Sequence, residues 1–291
     1  IYLKLRRGGT LEELLVRDAT GRAMGGIKMA NGTNSRREPP FPGTRAKSAA
    51  LVREELVRAQ EYRAKLDAAA AGKGDPPARD LRLEALVEVL RGERVVHHHT
   101  HRHDDILTVL RLAQEFGFRV VLHHVSDGGL AAREIAAAKA PCSLIVIDAP
   151  GGKQEALGLR LDTGAVLEQH GVLVAFHTDD GITDSRWFLR SAALGARGGM
   201  SRAGALRSVT LAGAEMLDLA ARTGSLEPGK DADFCVLSGD PLSVYTRVLE
   251  TWVEGLEVFD LEDPRDRIYA VGGLGATHGD LYATCCEGVA R

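Results

Sequence analysis

The stretch VVHHHTHRHDD, residues 95–105, places five histidines within seven positions, directly behind two valines. The valines open a run of strand type, and in a strand alternate residues share a face. His97, His99 and His101 are therefore expected on one face and His98 on the other. A strand whose last residues are metal-competent imidazoles suits the C-terminal edge of a parallel sheet, where barrel enzymes built from β/α units carry their chemistry. His99 is the best placed, because a neutral imidazole at that depth suits a divalent cation. The plain alternative is a solvated polar loop without a ligand.

Working outward, the same arrangement recurs. VVLHHVSDG at residues 120–128 ends another apolar run in histidines. His124 is expected nearer the mouth and His123 toward the helix layer or the neighbouring strand. VLVAFHTDDG, residues 172–181, puts Asp179 just past a strand, two residues after His177 and on its face, with Asp180 turned away. A carboxylate there can bind metal and take a proton from an attacking water; it can equally just open a turn. In GGIKMANG, residues 25–32, Lys28 sits inside a strand. A buried lysine must be paired, deprotonated or modified, and a deprotonated one can add CO2 to give a carbamate. Pairing with a carboxylate is the simpler expectation.

Buried strands are expected at residues 24–29, 94–99, 119–124, 143–147 and 172–177, with helices over 105–116, 130–138 and 201–214, the last begun by Ser201. This β/α alternation predicts an α/β fold with a parallel sheet. Residues 31–44, polar and carrying Pro39, Pro40 and Pro42, read as a long loop leading into a charged helix over 45–71, with a flexible break at 72–78. The loop is expected to act as a lid, a contact surface or a solvated linker. Beyond about residue 220 the pattern turns to short strands and turns, as in RVLETWVEGLEVFD at 247–260.

Composition narrows the classes. The 291 residues carry a net charge of −3 and are 44% hydrophobic, which favours neither nucleic acid nor an anionic membrane as partner. A membrane span would need about 18 consecutive apolar residues, and none occur. Cys142, Cys235, Cys285 and Cys286 have neither finger spacing nor a disulfide framework, so a reducing, cytoplasmic setting is the default expectation.

These residues resemble the amidohydrolase superfamily, in particular the branch holding imidazolonepropionase and the binuclear Xaa-Pro dipeptidases. IKMANGTN (27–34), VVHHHTHRHDDI (95–106), VLHHVSDG (121–128) and AFHTDDG (175–181) are similar to the family's fourth, fifth, sixth and eighth barrel strands. GSLEPGKDADFCVL (224–237) resembles the return from the barrel to a small β domain. The resemblance implies a partial (β/α)8 TIM-type barrel, strands 4–8, over residues 1–220, with an inserted loop and helix at about 31–78. Residues 221–291 would be a segment of an accessory β-sandwich. It implies metal ligands at Lys28 (as a CO2-derived carbamate), His99, His124 and Asp179, with Asp179 also the catalytic base. Two zinc ions are the family-like cofactors, with manganese or iron as alternatives, and a bridging hydroxide would attack a small-molecule amide, cyclic amide or dipeptide. His101, Arg102, Ser126 and Arg186 are the candidate substrate contacts; homo-oligomerisation is left open.

Two departures qualify the likeness. The family's first-strand His-x-His pair has no counterpart, and residues 1–21 read as mid-domain material, so an upstream segment carrying that pair is expected. No Glu follows closely after His99, which disfavours a mononuclear deaminase. The competing classes are a catalytically inactive barrel relative acting as a scaffold and a metal-storage or sensing protein built on residues 97–103.

Overall fold

The computed structural model describes residues 1–6, 9–36, 41–146, 153–180 and 182–271. Five strands, β1 (Ile27–Ala30), β2 (Val96–Thr100), β3 (Val120–His124), β4 (Cys142–Leu144) and β5 (Val174–Phe176), pair in sequence order, and every pairing is parallel. Such strands need crossovers, and helices supply them: α2 (Arg45–Ala70) and α3 (Leu81–Leu90) between β1 and β2, α4 (His103–Phe116), α5 (Ala132–Ala137) and α6 (Thr163–Gln169) between the later pairs. A four-residue helix, α1 (Leu11–Leu14), precedes the sheet. The five expected strands are all present, shorter than expected and displaced by a few residues at their ends; Ile147, the expected end of the fourth, lies outside the described residues, as do Pro39 and Pro40 of the long loop.

The two faces of the sheet differ. Val96, Leu122, Cys142, Leu144, Val174 and Phe176 face the helices and pack with Ile106, Val109 and Ile135 in the main core. The opposite face carries Val95, Val121 and Ala175, plugged at its N-terminal end by Ala212 and Met216. Above that plug the same face bears the histidines. Register fixes this: Lys28 pairs with His97, and Ala30, His99, His123, Ser143 and Ala175 form one row across the sheet.

The helix expected over 201–214 is two helices, α8 (Arg202–Ser208) and α9 (Leu211–Met216), after α7 (Phe188–Arg197). Ser201 caps α8 as expected, its hydroxyl accepting from the Gly204 amide at 2.9 Å. The break follows from local competition: the Ser208 hydroxyl donates back to the Ala205 carbonyl (2.6 Å) and the Thr210 hydroxyl to that of Leu206 (2.8 Å), and Thr210 leaves helical geometry. The helix expected over 130–138 begins as a 3-10 turn, Gly128–Ala131, before α5.

After α9 a three-stranded antiparallel sheet forms from β6 (Phe234–Leu237), β7 (Val248–Val253) and β8 (Leu256–Asp260), followed by α10 (Pro264–Val271). The Lys4 ammonium ties the first residues to this part of the chain through Asp231, Asp233 and Glu254, at 2.5, 2.8 and 3.5 Å. Of the segment expected to form a β domain, residues 272–291, with Cys285 and Cys286, lie outside the described residues. No helix among the described residues is long and apolar enough to cross a membrane.

Candidate metal centre

The C-terminal ends of β2 and β3 are knotted together before any site chemistry begins. The Val125 amide donates to the Thr100 carbonyl and the Asp127 amide to that of His101, both at 2.9 Å. In return the Asp127 carboxylate accepts from the His103 amide at 3.1 Å, capping α4, whose own N-cap residue Arg102 offers no side-chain cap. To make this turn His124 and Val125 adopt φ of 72° and 51°. Positive φ is costly for a side-chain-bearing residue and most of all for a β-branched one. The turn has a consequence for chemistry. Strict alternation would send His124 to the helix face beside Thr100, but the left-handed residue swings its ring back to the histidine face.

There the imidazoles crowd together. The His124 ring lies 4.3 Å from that of His99 and 4.8 Å from that of His177, and stacks on His101 at 5.0 Å with 18° between planes. Two chains of hydrogen bonds organise them. Ser143 Oγ lies 2.8 Å from His177 Nδ1, and His177 Nε2 lies 3.1 Å from His124 Nδ1. Tyr2 Oη lies 2.9 Å from His97 Nε2, and His97 Nδ1 lies 3.0 Å from His123 Nε2. His101 Nδ1 is held by Ser126 Oγ at 2.7 Å. Both nitrogens of His177 and one each of His101 and His124 are thus engaged. Nε2 of His99 and Nε2 of His124 are buried and have no hydrogen-bond partner among the described residues.

Burial holds these rings neutral. It pushes His123 down to about 2, His101 and His177 to about 3 and His98 to about 4, with neighbouring imidazoles adding to the effect on all four. His124 is pushed further in the same direction, and His99 is lowered although Glu155 opposes the shift. A neutral imidazole with a free lone pair is the form that binds a metal.

Glu155 is the residue that sequence reasoning missed. It follows β4 in a 3-10 turn, Gln154–Ala156, and is 6% exposed. Its Oε2 accepts from the Thr33 amide (2.9 Å) and Arg45 Nη2 (3.2 Å), its Oε1 from the Thr33 hydroxyl (2.5 Å). Burial alone would raise its pKa, but the neighbouring His99 and the Thr33 donors outweigh it and hold the carboxyl at about 2. Gly32 makes room: at its φ of 62° a Cβ would stand 2.2 Å from Oε2. One ligand atom each from His99, His101 and Glu155 lie within 4.8 Å of one another. Nothing in the local sequence KQEA, residues 153–156, marks Glu155; only the fold brings it beside His99.

The expected residues fare differently. His99, His124, His101 and Ser126 are brought together. The expectation that His97 and His99 share one face and His98 takes the other agrees with the register; His98 is buried with Nδ1 against the His99 carbonyl oxygen. Of its two expected positions His123 takes the second: it does not turn to the helices but lies on the face of His99, its register partner. Its Nε2 meets His97 Nδ1 on the neighbouring strand at 3.0 Å, as strand alternation places it. Lys28 is exposed, contrary to the expected burial, because β1 is an edge of the described sheet. Its charge still contributes to lowering the pKa of His97, His99, His123 and His177. Asp179 sits in the turn after β5 with φ of 51°, half-buried, its carboxylate without a hydrogen bond or ion pair among the described residues. Arg102 and Arg186 point to solvent, paired with Asp104 and Asp184 at 2.9 and 2.5 Å.

Two unpartnered buried imidazole nitrogens beside a buried carboxylate are an N/O donor set that fits a divalent transition metal. Fold and site together define an α/β protein with a candidate divalent-metal centre at the C-terminal ends of parallel strands. The chain matches the Amidohydro_3 model of the amidohydrolase family over residues 17–259, and it belongs to that family. It is 33% identical to an amidohydrolase from Thermotoga maritima MSB8 of known crystal structure, with a TM-score of 0.80 over 87% of this chain and 66% of that one. It is 29% identical over 185 residues to Amidohydrolase tasK of Hapsidospora irregularis, a match covering 62% of this chain and 19% of that protein. A prolidase crystallised with N-methylphosphonate-L-proline shares the fold at 18% identity and a TM-score of 0.50, over 82% of this chain and 70% of that one. The chain thus spans about a fifth of the curated relative and about two thirds of the Thermotoga structure.

Proposed function

We propose that this chain is the metal-bearing part of a hydrolase acting on C–N bonds of a small amide, cyclic amide or dipeptide. The observation that carries the reading is the pair of buried, unpartnered Nε2 atoms of His99 and His124, whose rings lie 4.3 Å apart. Polar atoms buried without partners are rare and costly, and a cation between these rings removes the cost. Lys28, as its carbamate, and Asp179 complete the proposed ligand set for two zinc ions, with manganese or iron as alternatives. In the same reading residues 1–220 belong to a (β/α)8 barrel of which β1–β5 are strands 4–8, and residues from 221 onward belong to an accessory β-sandwich.

When bound, a divalent cation lowers the pKa of water and polarises a carbonyl oxygen. The chain's own groups do the rest. Asp179 accepts one proton of the attacking water on its carboxylate and delivers it to the leaving nitrogen, so that the C–N bond breaks to a carboxylic acid and a neutral amine. The acid then gives its remaining proton to the amine or to solvent. The Ser143–His177–His124 chain fixes the tautomer of His124: with Nε2 as acceptor, Nδ1–H donates to His177 and His177 Nδ1–H to Ser143. Ser126 does the same for His101. The dipeptide class draws support from the prolidase with which the fold is shared.

The test is hydrolysis of N-acyl amino acids, cyclic amides and Xaa-Pro dipeptides by the zinc-loaded protein that carries this chain. Turnover of one class is expected, falling at least 100-fold in Asp179→Asn with an unchanged circular dichroism spectrum. A folded, metal-loaded protein that cleaves none of the three would favour the inactive-scaffold alternative.

A further inference from the structure

We infer that Glu155 is a direct ligand of the cation proposed above, forming with His99 and His101 a two-imidazole, one-carboxylate site for a divalent transition metal. The inference rests on the metal-site reading and adds two ligands to it, Glu155 from the segment after β4 and His101 from the end of β2.

Three observations point the same way. Glu155 Oε1 lies 3.9 Å from His99 Nε2. That is too long for a hydrogen bond, yet within the span of two metal–ligand bonds of about 2.1 Å each. His99 Nε2 is the buried nitrogen left without a partner, so the gap separates one unsatisfied atom from one anion. His101 is fixed through Nδ1 by Ser126, which leaves its other nitrogen for the same space.

The carboxylate is also held as a ligand must be. Thr33 and Arg45 grip it through three hydrogen bonds, and Gly32 lets the backbone approach closer than any side chain would allow. Charge adds a further argument. Asp105 and Glu155, both buried, share the guanidinium of Arg45, at 2.8 and 3.2 Å. A divalent cation against Glu155 supplies positive charge where two buried carboxylates divide one. The rival role is purely structural: Glu155 as the clasp that fastens the segment after β1 and the start of α2 to the sheet.

Cobalt(II) distinguishes the two, because its visible d–d bands report the ligand set directly. Cobalt is titrated into the full chain and into Glu155→Gln, Glu155→Asp, His99→Ala and His124→Ala variants. A ligand role predicts that Glu155→Gln changes the band positions and intensities and weakens cobalt binding at least 10-fold. Should Glu155→Gln fail to fold, Glu155→Asp, which keeps the charge but retracts it, is expected to shift the bands. Bands identical to the parent's in the folded Glu155 variant, whatever its affinity, overturn the ligand role while the metal site stands if His99→Ala abolishes them. Absence of cobalt bands in the parent, or bands indifferent to both histidine substitutions, overturns both readings.

Discussion

Gly32 shows how a single residue can set the chemistry of a site formed by others. Its φ of 62° and the 2.2 Å approach of a hypothetical Cβ to Glu155 leave no place for a side chain. Gly32→Ala is expected to cost about 1–3 kcal/mol in strain and displacement, read as a lowered urea midpoint. The same substitution should weaken cobalt binding through movement of Glu155; an unchanged midpoint would mean the carboxylate is not clasped as described. His99 and Lys28 mark the limits of what the sequence reveals at this scale. His99 was legible because a histidine at an alternating position near the end of an apolar run has one natural destination. Glu155 was not, because its environment is made by Gly32, Thr33 and Arg45, residues more than a hundred positions earlier. Lys28 was misjudged on burial, because strand membership does not say whether a strand lies at an edge.

Among elements, the parallel sheet was readable and the irregularities were not. Apolar runs alternating with helical spacing specify β1–β5, since hydrophobic period is a strong local signal. The split of α8 from α9 depends on whether Ser208 and Thr210 bond their own helix, and the side taken by the His124 ring depends on the left-handed conformation of that residue; neither choice leaves a trace in period. The turn's anchor, Asp127, carries a prediction. Asp127→Ala removes the acceptor for the His103 amide and should cost about 0.5–2 kcal/mol by urea unfolding. It should also weaken metal binding, because the strand-end loop that bears His101 loosens. In the core, Leu122 is fully buried, and Leu122→Ala should cost about 2–5 kcal/mol. A loss below 1 kcal/mol in that variant would contradict the packing of β3 against the helices.

For the whole molecule, the buried histidines couple stability to pH. His98, His101, His123 and His177 take up a proton at about 4, 3, 2 and 3 when folded, against about 6.5 in an unfolded chain. Between those values the unfolded chain binds more protons, so stability falls as pH falls. The contribution is complete above pH 6.5 or so and is lost progressively down to about pH 3. Urea midpoints of the metal-free protein should therefore drop steadily from pH 7.5 to 4.5; a midpoint that stays level or rises over that interval would show that these rings are open to solvent. The same desolvated, neutral cluster is what makes the site fit for a cation. Zinc anomalous scattering from crystals of the metal-loaded protein would locate that cation. A peak is expected within bonding distance of both His99 Nε2 and His124 Nε2, or a pair of peaks, one at each. Anomalous density elsewhere on the chain, with both nitrogens left unligated, would contradict it.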